Sequence, residues 1–133
     1  MNFLFPKKLS TPHIQLGISV DEGLKVLREF GEVKEEQGKE RSYTVDTPEF
    51  SFAIYEENGL VKSVWYNDPL GRFWNIGKRR KVKLYLERYG SLEDWEERMD
   101  NGWMKYFFNP RSNSAMVYGL HMDVIRFNQW NSA

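Results

Sequence analysis

The stretch Phe50-Ser51-Phe52-Ala53-Ile54-Tyr55-Glu56-Glu57-Asn58-Gly59-Leu60-Val61-Lys62-Ser63-Val64-Trp65-Tyr66 decides the fold. Phe50, Phe52 and Ile54 alternate with Ser51, Ala53 and Tyr55, which is the period of a half-buried strand. Asn58-Gly59 is the dipeptide of a two-residue hairpin turn, because both positions tolerate the left-handed backbone that such a turn demands. Pairing Glu57 with Leu60 in a regular ladder sets Phe52 opposite Trp65 and Ala53 opposite Val64. One face then carries Phe50, Phe52, Ile54, Val61 and Trp65 and reads as the core side. The other carries Tyr55, Lys62, Val64 and Tyr66, a mixture suited to a binding face.

Working outward toward the N-terminus, Ser19-Val20-Asp21-Glu22 fits a capping box. Val20, Leu24, Leu27 and Phe30 follow at helical spacing, and Gly31 stands where a left-handed helix cap belongs. Residues 1–18, punctuated by Pro6, Pro12 and Gly17, read as an irregular lead-in, and Glu32 to Arg41 as a solvated connection. Toward the C-terminus, Asn67-Asp68-Pro69-Leu70-Gly71 reads as a turn. Gly77 to Gly90 holds a second helix, with Val82, Tyr85, Leu86 and Tyr89 on one stripe. Ser91-Leu92-Glu93-Asp94 reads as the start of a short third helix with Leu92, Trp95 and Met99 on its apolar side. Trp103 to Phe108 and Ala115 to Phe127 read as two strands joined by a loop of turn formers. The order is helix, hairpin, helix, hairpin. Sequential hairpins predict an α+β domain, an antiparallel sheet of four or more strands with two to three helices on one face. Leu27-Arg28-Glu29-Phe30-Gly31 echoes Leu86-Glu87-Arg88-Tyr89-Gly90, a hint of internal duplication. Nothing splits the chain into two cores, so residues 1–133 read as one domain.

Composition narrows the function. Lys plus Arg equals Asp plus Glu at 19 each, so no global field draws the chain to a polyanion. The absence of Cys removes disulfides, thiolate nucleophiles and Cys-based zinc sites. There is no apolar run near the roughly 18 residues of a membrane span, and the first residues lack the order of a secretory signal. The expectation is a cytoplasmic protein.

Few residues offer chemistry. His121 stands two residues before Asp123, so the pair would share one strand face and could orient a general base. No Gly-x-Ser-x-Gly elbow accompanies them, and they read better as the polar face of an amphipathic strand. No metal-ligand spacing and no phosphate cradle occur, so neither a metal nor a cofactor is expected. The carboxylates of Glu93, Asp94, Glu96 and Glu97 read as a solvated helix face or an acidic patch for a basic partner. Arg79, Arg80, Lys81 and Lys83, preceded by Phe73 and Trp74, are the strongest charge feature and carry the alternative reading, a nucleic-acid-associated module.

The aromatic share of 16% is the remaining signal. Five Trp, seven Tyr and nine Phe are more rings than one small sheet–helix interface encloses. Tyr and Trp make good interface anchors, since they bury large area at small entropic cost. The pattern Ile14-x-Leu16-Gly17-x-Ser19-x-Asp21-Glu22, the helix to Gly31, and the hairpin from Phe50 through Asn58-Gly59 to Val64 resemble small bacterial inhibitor and immunity proteins. Among these are the αββ units of the β-lactamase inhibitor protein and the immunity proteins of contact-dependent and other polymorphic toxin systems. The resemblance implies a non-enzymatic protein that neutralises a cognate toxin by direct binding. Immunity proteins against nucleases are typically acidic, and the neutrality of this chain departs from them. The partner-binding residues expected are Tyr55, Lys62, Tyr66, Trp74, Glu93, Asp94 and Glu97.

Overall fold

The structure is a computed structural model. It describes residues 9, 11–67, 75–100, 104–119 and 124–129, the side chains of 75–81, 99, 100, 124, 125 and 129 excepted. His121, Asp123, Phe73, Trp74 and the turn at 68–71 therefore lie outside the described residues, as do the side chains of Arg79, Arg80 and Lys81.

Helix α1, Val20–Phe30, begins where Ser19 accepts a hydrogen bond from the Glu22 amide at 3.3 Å, the cap expected from the sequence. It buries Leu24 and Leu27, each worth roughly 1.5–3 kcal/mol when taken from water. Gly31 does not form a left-handed cap: its φ of 162° is extended backbone. The region read as a solvated connection instead starts the sheet. Strand β1, Lys34–Gln37, is exposed at all four positions, and β2, Arg41–Asp46, pairs with it. Strands β3, Ser51–Glu57, and β4, Leu60–Asn67, form the expected hairpin, with Asn58 and Gly59 both at positive φ.

The second half repeats the plan. Helix α2, Asn75–Arg88, carries Val82, Tyr85 and Leu86 into the core. The expected third helix is a single 3-10 turn, Leu92–Asp94, running directly into strand β5, Glu96–Asp100. Strands β6, Met104–Asn109, β7, Ser114–Gly119, and β8, Val124–Gln129, complete the set; the segment read as one strand from Ala115 to Phe127 is thus two. Among the described residues there are two α-helices and eight strands in one antiparallel sheet, ordered β1-β2-β3-β4-β8-β7-β6-β5. Each helix precedes a four-strand meander rather than a hairpin, and the meanders meet along β4 and β8. The two halves therefore share one element order, a helix followed by a four-strand antiparallel meander. No described helix is long and apolar enough to cross a membrane.

The hairpin register departs from a regular ladder at one residue. Glu57 pairs with Leu60 and Glu56 with Val61, but Tyr55 pairs with Ser63 and Ile54 with Val64. Lys62 is therefore an extra residue, a β-bulge, and every later side chain of β4 changes face. Val64 and Tyr66 turn into the core with no exposure, while Trp65 turns outward and is half-buried. This reverses the regular-ladder expectation for all three, and it removes Tyr66 from any binding surface. The core follows as one continuous row across the sheet: Tyr43, Ile54, Val64, Phe127, Met116 and Phe107 lie side by side. Both helices cover this side. Phe30 packs on Phe50 and Phe52 at 6.1 and 5.4 Å between ring centroids, and Tyr89 lies on Phe127 at 4.1 Å.

The lead-in is irregular but seated. Ile14 is 1% exposed and Thr11 3%. Gly17 donates to the Val61 carbonyl at 2.7 Å, and Val61 donates to that of Ile18 at 2.8 Å.

Candidate protein-binding face

Strand alternation fixes what the other side of the sheet presents. Thr44, Ala53, Trp65, Arg126, Val117 and Tyr106 form a second row across β2, β3, β4, β8, β7 and β6, with Tyr55 and Phe108 in the row beside it. Neither helix lies on this side, and Tyr55, Trp65, Tyr106 and Phe108 are all half-buried. Small residues sit between the rings: Ala53 and Ser63 are closed over by their larger neighbours.

Arg126 is the centre of this face. Its guanidinium lies 4.1 Å from the Tyr55 ring centroid, near enough for a cation–π contact. It donates to Ser63 Oγ at 3.0 Å, to Asn128 Oδ1 at 3.1 Å and to the Glu40 carboxylate at 3.1 and 3.3 Å. Glu40 belongs to the turn between β1 and β2, three strands from β8, a separation of about 14 Å at ordinary strand spacing. The turn between β1 and β2 therefore reaches in over this face, where Glu40 meets Arg126. The ion pair is partly exposed, with side chains 32% and 46% accessible, and so contributes at most about 1 kcal/mol. What it supplies is a fixed position for the guanidinium. A second cation, Arg98, stands over Phe108 at 5.2 Å; it is the bulged residue of β5.

Of the residues expected to bind a partner, Tyr55 lies on this face. Lys62 is the bulge residue and pairs with Glu57. Glu93 is exposed on the 3-10 turn, where Ser91 donates to it at 3.4 Å, and Asp94 is half-buried with Arg111 at 3.8 Å. Glu97 is exposed on the helix side of β5, 3.9 Å from Lys105. The acidic residues do not share a helix face, because Glu93 and Asp94 stand on the 3-10 turn and Glu97 on a strand, and the structure does not bring them together with Tyr55. Lys83 is exposed on α2. Trp65, Arg126, Tyr106 and Phe108 were not singled out as a group by the sequence. The two-sided aromatic pattern of Lys105-Tyr106-Phe107-Phe108 was the available signal, since a strand with rings on both faces shows one set to whatever lies opposite the core.

A second cluster of polar groups lies on the helix side, where Tyr66, Tyr85, Arg88 and Tyr89 meet the lead-in. The Tyr66 and Tyr89 hydroxyls are 2.7 Å apart, and those of Tyr85 and Thr11 2.8 Å. Burial pushes the Tyr66 phenol above its ordinary value and the Tyr89 phenol well above it. Both stay neutral at physiological pH and serve as hydrogen-bonding groups, not as phenolate nucleophiles or bases. No protein-family model, curated protein or solved structure matches the chain.

Proposed function

We propose that this chain is a protein-binding module of the inhibitor or immunity kind, which neutralises a cognate bacterial toxin in the cytoplasm by direct binding through the helix-free face of its sheet. The observation that carries this reading is the row of half-exposed rings around Arg126, held on the side of the sheet that neither helix covers. Eight strands span about 34 Å at ordinary spacing, and six residues of strand about 20 Å. A face of that size, roughly 700 Å², approaches the roughly 800 Å² that each partner contributes to a standard interface. Trp, Tyr and Arg are the residue types that dominate binding energy in such interfaces. Rings anchored on strands, with the guanidinium already fixed by four hydrogen bonds, lose little freedom on association.

The test is co-expression with the product of the adjacent gene, followed by calorimetry of the purified pair. Trp65→Ala and Arg126→Ala should each weaken a one-to-one complex by about 30-fold or more, the scale of an interface hot spot. Lys25→Ala, an exposed position on α1, should leave it unchanged. Equal affinity for all three variants, or no complex with neighbouring products, would count against the proposal. Salt-sensitive retardation of a single-stranded oligonucleotide, lost with Lys83→Ala, would favour the nucleic-acid reading instead.

A further inference from the structure

The opposite side of the molecule carries an inference independent of the binding face. We infer that residues 11–18 form a strap that lets go on acidification, with His13 as its trigger and Arg88 as its pin.

The strap is held by side chains rather than by a strand ladder. Arg88 donates to the Pro12 carbonyl at 2.9 Å, to Thr11 Oγ1 at 3.2 Å and to the Thr11 carbonyl. The Tyr89 hydroxyl donates to the Ile14 carbonyl at 2.8 Å, and the Ile14 amide donates to the Tyr66 hydroxyl at 3.4 Å. Ile14 fills the apolar seat between α2 and the sheet. This is how a protein holds an extended peptide, with a few groups gripping alternate backbone atoms, and such a segment can open without the rest of the fold opening. At its far end, Gly17 has a φ of 87°, a conformation that glycine takes without steric cost. Beyond it, Ile18 and Val20 are bonded to the tip of the β3–β4 hairpin. Gly17 is thus a natural pivot about which 11–16 can swing once the grip is released, with 18 onward fixed.

His13 sits in the middle of the gripped stretch. One edge of its imidazole is exposed, while the other side lies against Tyr89, with ring centroids 5.0 Å apart and planes at 87°. The groups that face it among the described residues are Arg88 at the end of α2 and the neutral phenol of Tyr89 just beyond it; Tyr85 from α2 and Tyr66 from β4 complete the seat of the strap. Among the described residues, the charge that acts on the imidazole is that of Arg88. A proton on His13 therefore places a second cation beside the guanidinium that pins the strap, with part of its hydration displaced by a ring. Swinging residues 11–16 into water relieves both costs. In agreement, burial and then the Arg88 charge lower the pKa of His13, so the seated strap favours the neutral ring. The opened form would uncover the seat of Ile14 and the hydroxyls of Tyr66, Tyr85 and Tyr89.

Amide hydrogen exchange on the full chain, read by mass spectrometry at about pH 7.5 and about pH 5, spans the range in which a histidine changes charge. After correction for intrinsic exchange, peptides covering 11–16 should lose protection several-fold at the lower pH, while α1 and β3 keep theirs. His13→Gln should hold the strap closed at both pH values. Arg88→Ala should open it at both. Unchanged protection of 11–16 in the wild type, an equal loss in His13→Gln, or a loss that appears only together with α1 and β3 would each overturn the inference.

Discussion

Trp65 and Tyr66 are adjacent in sequence, and the bulge at Lys62 assigns them opposite fates, so truncating each in turn tests the register. Tyr66 has no solvent exposure, lies 4.9 Å from the Tyr85 ring, and bonds both Tyr89 and the Ile14 amide. Removing a buried aromatic side chain costs about 3–5 kcal/mol. Leaving a buried amide without its acceptor adds about 1 kcal/mol, so Tyr66→Ala should cost about 4–6 kcal/mol. Trp65 is half-buried on the helix-free face, and Trp65→Ala forfeits the burial of part of one ring, about 1–2 kcal/mol. For 133 residues the unfolding entropy is about 0.28 kcal/mol/K, so each kcal/mol moves Tm by about 4 °C. The expected falls in Tm are about 14–21 °C for Tyr66→Ala and about 4–7 °C for Trp65→Ala. Urea denaturation followed by far-ultraviolet circular dichroism reads both without relying on tryptophan emission. In a regular ladder Trp65 would be the core residue and the order would reverse. Equal costs, or a larger cost at Trp65, would refute the bulge and with it the composition of the proposed face.

Gly90 has a φ of 148°, and a Cβ there would collide with the Asn109 side-chain amide, itself buried at the start of a turn. Gly90→Ala should therefore destabilise by about 1–3 kcal/mol in urea melts. Ser19→Ala removes the oxygen that accepts from Glu22 and should cost about 1 kcal/mol, with restoration by Asp at the same position. The Tyr66 and Tyr89 phenols are raised above their unfolded value near 10, so the folded state holds protons that the unfolded state releases. Their contribution to stability is complete below about pH 10 and is lost as pH rises beyond it. Alkaline denaturation monitored by phenolate absorbance should accordingly show Tyr66 and Tyr89 among the tyrosines that ionise only with unfolding, and Tyr66→Phe should lower their number by one.

The sequence revealed those elements whose signals are local. Helix α1 was legible because Ser19 caps it and Leu24 and Leu27 repeat at its period, and Asn58-Gly59 marked the hairpin because few dipeptides accept that backbone. Strand β1 was not legible: Lys34-Glu35-Glu36-Gln37 has no apolar alternation, since an edge strand exposed on both sides needs none and its charges deter pairing with other chains. Ser91-Leu92-Glu93-Asp94 begins like a helix, but pairing of β5 with β6 outweighs that local preference. The bulge at Lys62 adds a residue without altering the character of its neighbours, so alternation alone cannot reveal it. The candidate site was half-hidden for the same reason. Tyr55 was found and Tyr66 misassigned, while Trp65 and Arg126 became neighbours only through the pairing of β4 with β8, a contact between residues about 60 positions apart.

That pairing also sets a schedule for synthesis. The first meander is finished once β4 has left the ribosome, yet the strand that completes it, β8, starts 57 residues after Asn67. At about 5–20 residues per second the inner edge of β4 waits roughly 3–11 s for its neighbour. Throughout that interval its backbone amides and carbonyls are open to any extended chain nearby. Translation speed across residues 68–123 should therefore influence how much of the nascent protein reaches the native sheet.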